Sequence, residues 1–306
     1  MNQQTFDLLI LGSSSASPTA ERHPTSQILN IAERYFLIDC GEATQIQLRK
    51  YKAKLQAIDH ILISHLHGDH FFGLPGLLST MSLLGRKQKL TIYCPQDLKL
   101  IIDTINKASE TVLNFEINWQ FTNDDGVNLL FEDNKVEVYS FPLKHRIYCT
   151  GFLFKEKSLP RNVDKDKLKR LNISVADILK LKKGFDVVNE DGKLIKNKDA
   201  TIDPPQPRSY AYCSDTIFYK KIVKIIKDVN VLYHESTFLE DKKDRAKKTF
   251  HSTAKQAAEI AKLADVKKLL LGHFSARYGN LNSFTDEAKP IFENCELALE
   301  GKIFKL

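Results

Sequence analysis

Ser64-His65-Leu66-His67-Gly68-Asp69-His70 follows the apolar run Ile61-Leu62-Ile63, and the reading of this stretch decides the fold. The apolar run reads as a buried strand, so the polar cluster begins where a strand ends, on a rigid support. At the extended start of a loop, residues two apart point to the same side, which lets His65 and His67 reach one metal ion. Gly68 lets the chain turn, and Asp69 and His70 then present a second set of ligands. Imidazole nitrogen and carboxylate oxygen are donors that zinc accepts in catalytic sites. The competing reading is a polar loop with scattered histidines. It leaves unexplained why four of the six residues from His65 to His70 are able to bind metal.

Outward from the cluster, apolar runs and helical periods alternate. Towards the N-terminus, Phe6 to Gly12 reads as a buried strand with Ser13-Ser14-Ser15 as its loop. Gln27–Ile31 and Tyr35–Asp39 form a hairpin pair about an acidic turn at Glu33, and Glu42–Tyr51 has helical spacing. Ile58–Ser64 is the strand that delivers the cluster. Beyond it come a helix over Gly73–Leu84, a strand over Leu90–Cys94 and a helix over Pro95–Ser109. Strands Phe115–Phe121 and Lys135–Pro142 are joined through the Asp124-Asp125-Gly126 turn, and Gly151–Lys155 is another strand. Late in the chain, strand Tyr210–Ser214 is followed by helix Phe218–Lys227, and strand Val229–His234 by helix Thr253–Leu263. Lys268–Gly272 is a final strand ahead of helix Ser283–Asn294. Strand-rich stretches interrupted by amphipathic helices predict an α/β (α+β) fold of sheets covered by helices.

A chain of 306 residues has room for a full core. With 42% hydrophobic and 27% charged residues it has the composition of a soluble globular enzyme. No stretch approaches the roughly 20 apolar residues of a membrane span. Met1-Asn2-Gln3-Gln4-Thr5-Phe6 has neither a basic start nor an apolar signal core, so the expectation is a cytoplasmic protein with no membrane partner. Cys40, Cys94, Cys149, Cys213 and Cys295 are widely spaced and form no CxxC pattern. They read as buried free thiols, in keeping with a reducing compartment. The excess positive charge is local: Lys155–Lys198 holds 13 basic and 7 acidic residues, a net +6 against +7 for the whole chain. Apart from a short helix over Ser174–Leu181 this segment has few apolar periods. A solvated excursion is what such charge runs usually are.

A two-metal hydrolytic site, with ions roughly 3.5–4 Å apart, needs more ligands than one cluster supplies. His145 follows strand Lys135–Pro142, Asp215 ends strand Tyr210–Ser214, and His273 ends strand Lys268–Gly272. Each stands where a sheet edge collects ligands. The arrangement expected is His65, His67 and His145 on one ion, Asp69, His70 and His273 on the other, and Asp215 between them. Water held between two zinc ions becomes a hydroxide near neutral pH, and two divalent ions stabilise charge developing on a phosphoryl group. His251 opens a helix and is placed to protonate a leaving oxygen. Glu235 follows a buried strand and is placed to orient that imidazole. His23, His60 and His234 have no such context and read as structural.

The His65–His70 cluster and the three distant ligands resemble the metallo-β-lactamase superfamily, and further motifs resemble the ribonuclease Z family of tRNA 3′-processing endonucleases within it. Leu11 to Thr19 resembles the family's opening loop. Leu37-Ile38-Asp39-Cys40-Gly41-Glu42-Ala43-Thr44-Gln45 resembles its second strand and turn, where glycine is more usual at Ala43. His234-Glu235-Ser236-Thr237, His251-Ser252-Thr253 and His273-Phe274-Ser275-Ala276-Arg277-Tyr278 resemble its later motifs. The resemblance covers residues 6 to 280. It implies a four-layer αββα sandwich forming one domain over 1–306, with a basic exosite arm inserted at about 155–198, and two Zn2+ per chain, for which Mn2+ or Fe2+ could substitute. It implies Asp69 as ligand and proton acceptor, His251 as proton donor with Glu235 beside it, and Ser275 and Arg277 in contact with phosphate. It further implies a homodimer in which the arm of one subunit grips the elbow of a precursor tRNA held by the other. In place of the Gly-Pro-rich stretch usual there, this arm has Leu159-Pro160-Arg161-Asn162 and Lys180-Leu181-Lys182-Lys183-Gly184-Phe185. Arg161, Lys182 and Lys183 are its candidate contacts to the RNA backbone. No RNP-type aromatic pattern is present, so recognition by shape is expected.

The reading that follows is a zinc-dependent endoribonuclease that removes the 3′ trailer after the discriminator nucleotide and leaves a 3′-hydroxyl on the tRNA. The alternative is a hydrolase of the same fold for a small phosphodiester, ester or lactone, which has no use for a basic arm. A non-catalytic RNA-binding relative with a decayed site is disfavoured by the presence of all seven candidate ligands.

Overall fold

Along the first strand, Phe6, Leu8 and Ile10 face one way and Leu9 and Leu11 the other, and all five are buried. The same holds for Tyr210 and Tyr212 against Ala211 and Cys213, and for Leu270 against Leu269 and Leu271. Strands buried on both faces need cover on both faces, and this dictates the layers. The computed structural model describes residues 4–164, 168 and 171–306. Among them the strands make two seven-stranded sheets. The first runs Ile303–Lys305, Phe6–Gly12, Ser26–Ile31, Arg34–Cys40, Ile58–Leu62, Leu90–Cys94, Ile117–Phe121. The second runs Cys295–Leu297, Lys268–Gly272, Val231–Glu235, Ser209–Cys213, Thr150–Glu156, Val136–Pro142, Asn128–Glu132. A core of Phe6, Leu8, Phe36, Phe152, Tyr210, Tyr233 and their neighbours fills the space between the sheets. Helices Leu74–Leu83 and Asp97–Ala108 cover the outside of the first sheet, and helices Ala254–Leu263 and Asn282–Ala288 the outside of the second. This is the αββα sandwich.

Both sheets have a parallel middle. Ile58–Leu62 lies parallel to Arg34–Cys40 and Leu90–Cys94, and Val231–Glu235 parallel to Ser209–Cys213 and Lys268–Gly272. Parallel strands bring their carboxyl ends to one edge, where α/β sheets bind ligands. Short pairings tie the two sheets together there: Phe274 and Ser275 pair with Ser14 and Ser15, and the Thr150 N–H donates to the Ser64 carbonyl at 3.0 Å.

The structure departs from the sequence reading in four places. Ile117–Phe121 and Val136–Pro142 are not partners across the Asp124-Asp125-Gly126 turn. The turn carries the chain from one sheet to the other, and an unexpected edge strand, Asn128–Glu132, pairs with Val136–Pro142. Phe218–Lys227 contains a 3-10 turn, Lys220–Lys224, rather than an α-helix. The last helix is Asn282–Ala288, since Pro290 lacks the N–H needed to carry it further. Strands Cys295–Leu297 and Ile303–Lys305 then complete one sheet each. Finally, Lys243–Thr249 is a helix that no apolar period announces, with Ala246 its one buried residue. All five cysteines are buried free thiols. No described helix is long and apolar enough to cross a membrane.

The chain divides into two compact units, 4–155 with 208–306, and 156–207. The smaller runs past the Lys198 at which the charge pattern ended. It is also more than a solvated excursion: Leu181, Val187, Ile195 and Ala200 form a core of their own, backed by Val163, Leu168, Leu171 and Ile173. Its helix is Val175–Lys182, capped by the Ser174 side chain, which accepts from the Asp177 N–H at 3.1 Å.

Candidate metal centre

His67 ends the extended segment after Ile58–Leu62, and the single helical turn Gly68–Phe71 follows at once. That switch sends His65 and His67 to one point and Asp69 and His70 to another. Gly68 leaves room for the Phe72 ring, which a Cβ there would approach to 2.2 Å and push aside. The other residues arrive from the second sheet: His145 beyond Val136–Pro142, Asp215 beyond Ser209–Cys213, and His273 beyond Lys268–Gly272.

The seven side chains form two groups that share Asp215. In the first, His67 Nδ1 lies 3.1 Å from both His65 Nε2 and His145 Nε2, and Asp215 Oδ2 lies 3.5 and 3.7 Å from those two nitrogens. In the second, His273 Nε2 is 3.3 Å from His70 Nε2, 3.3 Å from Asp69 Oδ2 and 3.1 Å from Asp215 Oδ1. His70 Nε2 is 3.5 and 3.4 Å from the same two oxygens. A tetrahedral ion with bonds of about 2.0–2.1 Å holds its ligand atoms about 3.3–3.4 Å apart, so each group has the edge lengths of such a shell. Asp215 Oδ1 is fully buried yet accepts no hydrogen bond. A buried carboxylate oxygen left without a donor is what a cation-binding position offers. The fold and these His/Asp groups make this a divalent-metal site.

Partners behind the ligands fix their orientation. Asp39, fully buried, accepts from His70 Nδ1 at 2.7 Å, Tyr212 Oη at 2.6 Å, Ser64 Oγ at 2.9 Å and the Ser64 N–H at 2.8 Å. Thus His70 Nε2 is left to face the centre. His65 Nδ1 lies 3.0 Å from Ser64 Oγ, His145 Nδ1 donates to the Phe250 carbonyl at 2.9 Å, and His273 Nδ1 reaches Thr237 Oγ1 at 2.9 Å. Asp69 Oδ2 accepts the Ala16 N–H of the opening loop at 2.7 Å. Burial pushes His65 down to about 4. Burial also opposes charge on Asp69 and Asp215, but the surrounding imidazoles hold both carboxyls well below their usual range. Burial opposes the charged form of His70 too, and Asp69, Asp215 and Asp39 outweigh it and push that group well up. Positive charge is therefore favoured at this point, and an ion on Nε2 supplies it as well as a proton does.

His251 stands on the wall of the same pocket, about 600 Å³ in volume, with its Nδ1 3.0 Å from Glu235 Oε1. Glu235 is fully buried and accepts from the Thr216, Ser252 and Thr237 N–H groups at 3.1, 3.0 and 3.0 Å. Burial lowers the basicity of His251, but Glu235 and then Asp215 more than offset it and lift the ring to about 9. Ser275 and Arg277 lie outside the pocket wall. The Arg277 Nε donates to Ser275 Oγ at 3.0 Å, and its guanidinium stacks 5.3 Å over the Phe238 ring. In the smaller unit, Arg161 donates to Thr201 Oγ1 at 2.7 Å and pairs with Asp203, so its guanidinium is engaged within the arm. Lys182 and Lys183 border a surface cavity of about 530 Å³ with it. Sequence reasoning did not assign Asp39, Tyr212, Thr237 or Ala16 a role. Asp39, Ala16 and Thr237 each lie in a stretch that resembles a family motif; Tyr212 carried no signal beyond its place in an apolar strand.

A two-sheet sandwich with such a His/Asp centre at its edge defines the metallo-β-lactamase class of metallohydrolases. A family model described as Anti-Pycsar protein Apyc1 matches residues 6–157. Ribonuclease Z of Cytophaga hutchinsonii is 48% identical over 300 residues, 98% of this chain and 96% of that one. Ribonuclease Z of Parabacteroides distasonis is 44% identical over 296 residues, 97% of each. The crystal structure of the human tRNase Z short form superposes with a TM-score of 0.70 at 28% identity, covering 97% of this chain and 98% of that one. The chain belongs to the ribonuclease Z family.

Proposed function

We propose that this protein is the endoribonuclease that removes the 3′ trailer from precursor tRNA, cutting after the discriminator nucleotide and leaving a 3′-hydroxyl on the tRNA. The observation that carries the hydrolytic part is the pair of donor groups sharing Asp215, whose buried Oδ1 accepts no hydrogen bond. Family membership supports the substrate. The donor set, nitrogen and oxygen without sulfur, suits two Zn2+ per chain, with Mn2+ or Fe2+ as substitutes. When bound, such ions supply Lewis acidity and a nucleophile from water at neutral pH.

The chain's own residues do the rest. His65, His67 and His145 would hold one ion, Asp69, His70 and His273 the other, and Asp215 would serve both groups. Asp69, held by the Ala16 N–H, is also placed to accept a proton from the attacking water. His251, kept protonated by Glu235, donates its proton to the leaving oxygen at the pocket wall. Ser275 and Arg277 steady the RNA backbone beyond the wall. Residues 156–207, inserted in a single metallo-β-lactamase-fold domain, act as the exosite arm, with Lys182 and Lys183 towards RNA phosphates and Arg161 bracing the arm through Asp203. The enzyme acts as a homodimer, and its five buried thiols suit a reducing cytoplasm.

The test is cleavage of a 3′-extended precursor tRNA with end mapping, by wild type and by Asp69→Ala, beside elemental analysis of both. A metal-dependent cut next to the discriminator base, lost in the variant, is the expected result. Bound metal with no cut on any precursor would overturn the tRNA reading in favour of a small-diester hydrolase.

A further inference from the structure

Two cations on the metal pocket have no assigned role. Arg146 follows the ligand His145, and Lys248 lies in the last turn of helix Lys243–Thr249; both are exposed and both line the pocket. The His145 Nδ1 to Phe250 carbonyl bond, 2.9 Å, ties their two segments together. Neither makes an ion pair among the described residues. Besides Asp69 and Asp215 the lining holds one carboxylate, Glu42, and it pairs with neither of them. By contrast, Lys243 in the first turn of the same helix and Lys242 at its N-cap are engaged, with Glu240 at 2.9 Å and Asp241 at 3.3 Å.

Arg146 does have one polar neighbour: its Nη2 lies 2.9 Å from His67 Nε2. That contact is incompatible with the role of His67 as a ligand. His67 turns Nδ1 to the centre, and a neutral imidazole with Nδ1 on a cation carries its single proton on Nε2. A guanidinium has donors only, so two donors would face each other at that distance. With the ligand set in use, Arg146 must swing off His67 and take an acceptor from the pocket mouth.

We propose that Arg146 and Lys248 form a clamp for the phosphodiester backbone of the RNA strand beside the scissile bond. The inference rests on the RNA-cutting reading given above. It adds a second electrostatic foothold, in the catalytic unit itself and distinct from the arm. Arginine suits a bidentate grip on phosphate oxygens, and lysine a looser charge contact.

The experiment uses full-length, metal-replete protein and a mature tRNA transcript, which contains no trailer to cut. Binding is measured across a salt series for wild type, Arg146→Ala, Lys248→Ala, the double variant, Arg146→Lys, and Lys87→Ala as an exposed control outside the pocket. KM and kcat on a 3′-extended precursor are measured alongside. Each lost phosphate contact should reduce the slope of log affinity against log salt by about 0.7–0.9. The double variant should bind roughly tenfold more weakly at moderate salt, with the rise in KM exceeding any fall in kcat. Arg146→Lys should recover most of the slope, and Lys87→Ala should match wild type. A double variant with the wild-type slope and KM would overturn the clamp while leaving the tRNA reading intact. Metal loss on Arg146→Ala would also overturn it, by showing that Arg146 serves His67 instead. Wild type that cuts no precursor would sink the tRNA reading and the clamp together.

Discussion

Asp39 takes four donors on one buried carboxylate, and three of them belong to Ser64 and His70 at the centre's own strand end. Its backbone lies in the left-handed region, φ 54°, as does that of His273, φ 61°. Strain of this kind persists only where the surroundings over-determine it, and it gathers at functional sites. Asp39→Ala leaves the His70 ring without its acceptor, so metal affinity should fall about 10–100-fold; competition with a chromophoric chelator measures this. An unchanged affinity would show that packing alone orients His70. Ala43 is a plainer case. It precedes helix Thr44–Lys50 at φ 65°, ψ 7°, a conformation that costs a residue with a Cβ about 1–2 kcal/mol. Glycine, with no Cβ, carries no such cost. Ala43→Gly should raise unfolding stability by about 1 kcal/mol, read from denaturant midpoints at constant slope.

At the scale of elements, strand Ile58–Leu62 carries a histidine that the centre does not use. His60 stacks on Phe36 with ring centroids 5.0 Å apart and packs against Phe131 at 4.5 Å. Burial among these rings lowers it from 6.5 to about 4. At pH 7 the ring is neutral both folded and unfolded. As pH falls below 6.5 the unfolded chain takes up a proton that the native ring refuses, until about pH 4. Stability is therefore lost over that window, by up to about 3 kcal/mol. His60→Phe should flatten the fall in unfolding free energy between pH 6.5 and 4, and an identical fall would place its cause in other groups. The inserted segment 156–207 invites a deletion at the same scale. Lys155 and Ser209 are paired residues of one antiparallel ladder, so a short Gly-Ser turn in place of residues 158–206 leaves that ladder closed. Removing the arm should weaken precursor-tRNA binding far more than hydrolysis of a small phosphodiester. Equal losses on both substrates would count against its being an exosite.

The two sheets meet at the metal edge through the Phe274–Ser14 pairing and the Thr150–Ser64 and Tyr212–Asp39 bonds, and the candidate ligands come from both. Ions held there would fasten the two sheets together, and a metal that binds only the folded state, present at about 100 times its dissociation constant, would add about 2.7 kcal/mol of stability. Chelation should lower the thermal midpoint of wild type by several degrees and leave that of Asp215→Ala nearly unmoved. Equal shifts in the two proteins would mean that the chelated metal was bound elsewhere.

What the sequence determined by itself is local. Apolar runs mark buried strands wherever both faces are covered, as at Ile61-Leu62-Ile63 and Lys268–Gly272. Residues that follow such runs, from His65 to His273, are marked as candidate ligands by donor type. The motifs around Glu235 and His251 narrowed the family further. The signals failed where burial is partial or charge dominates. Edge strand Asn128–Glu132 and helix Lys243–Thr249 bury too little to show a period, and the arm's core rests on four small contributions from Leu181, Val187, Ile195 and Ala200. Tertiary structure alone decided which atoms meet. It placed Asp215 between two groups that each draw on both sheets, turned His67 so that Nδ1 rather than Nε2 faces the centre, and brought Asp39 and Tyr212, far apart in the chain, onto one hydrogen-bond network. Such distances depend on how the layers stack, and stacking is a property of the whole core rather than of any window of residues.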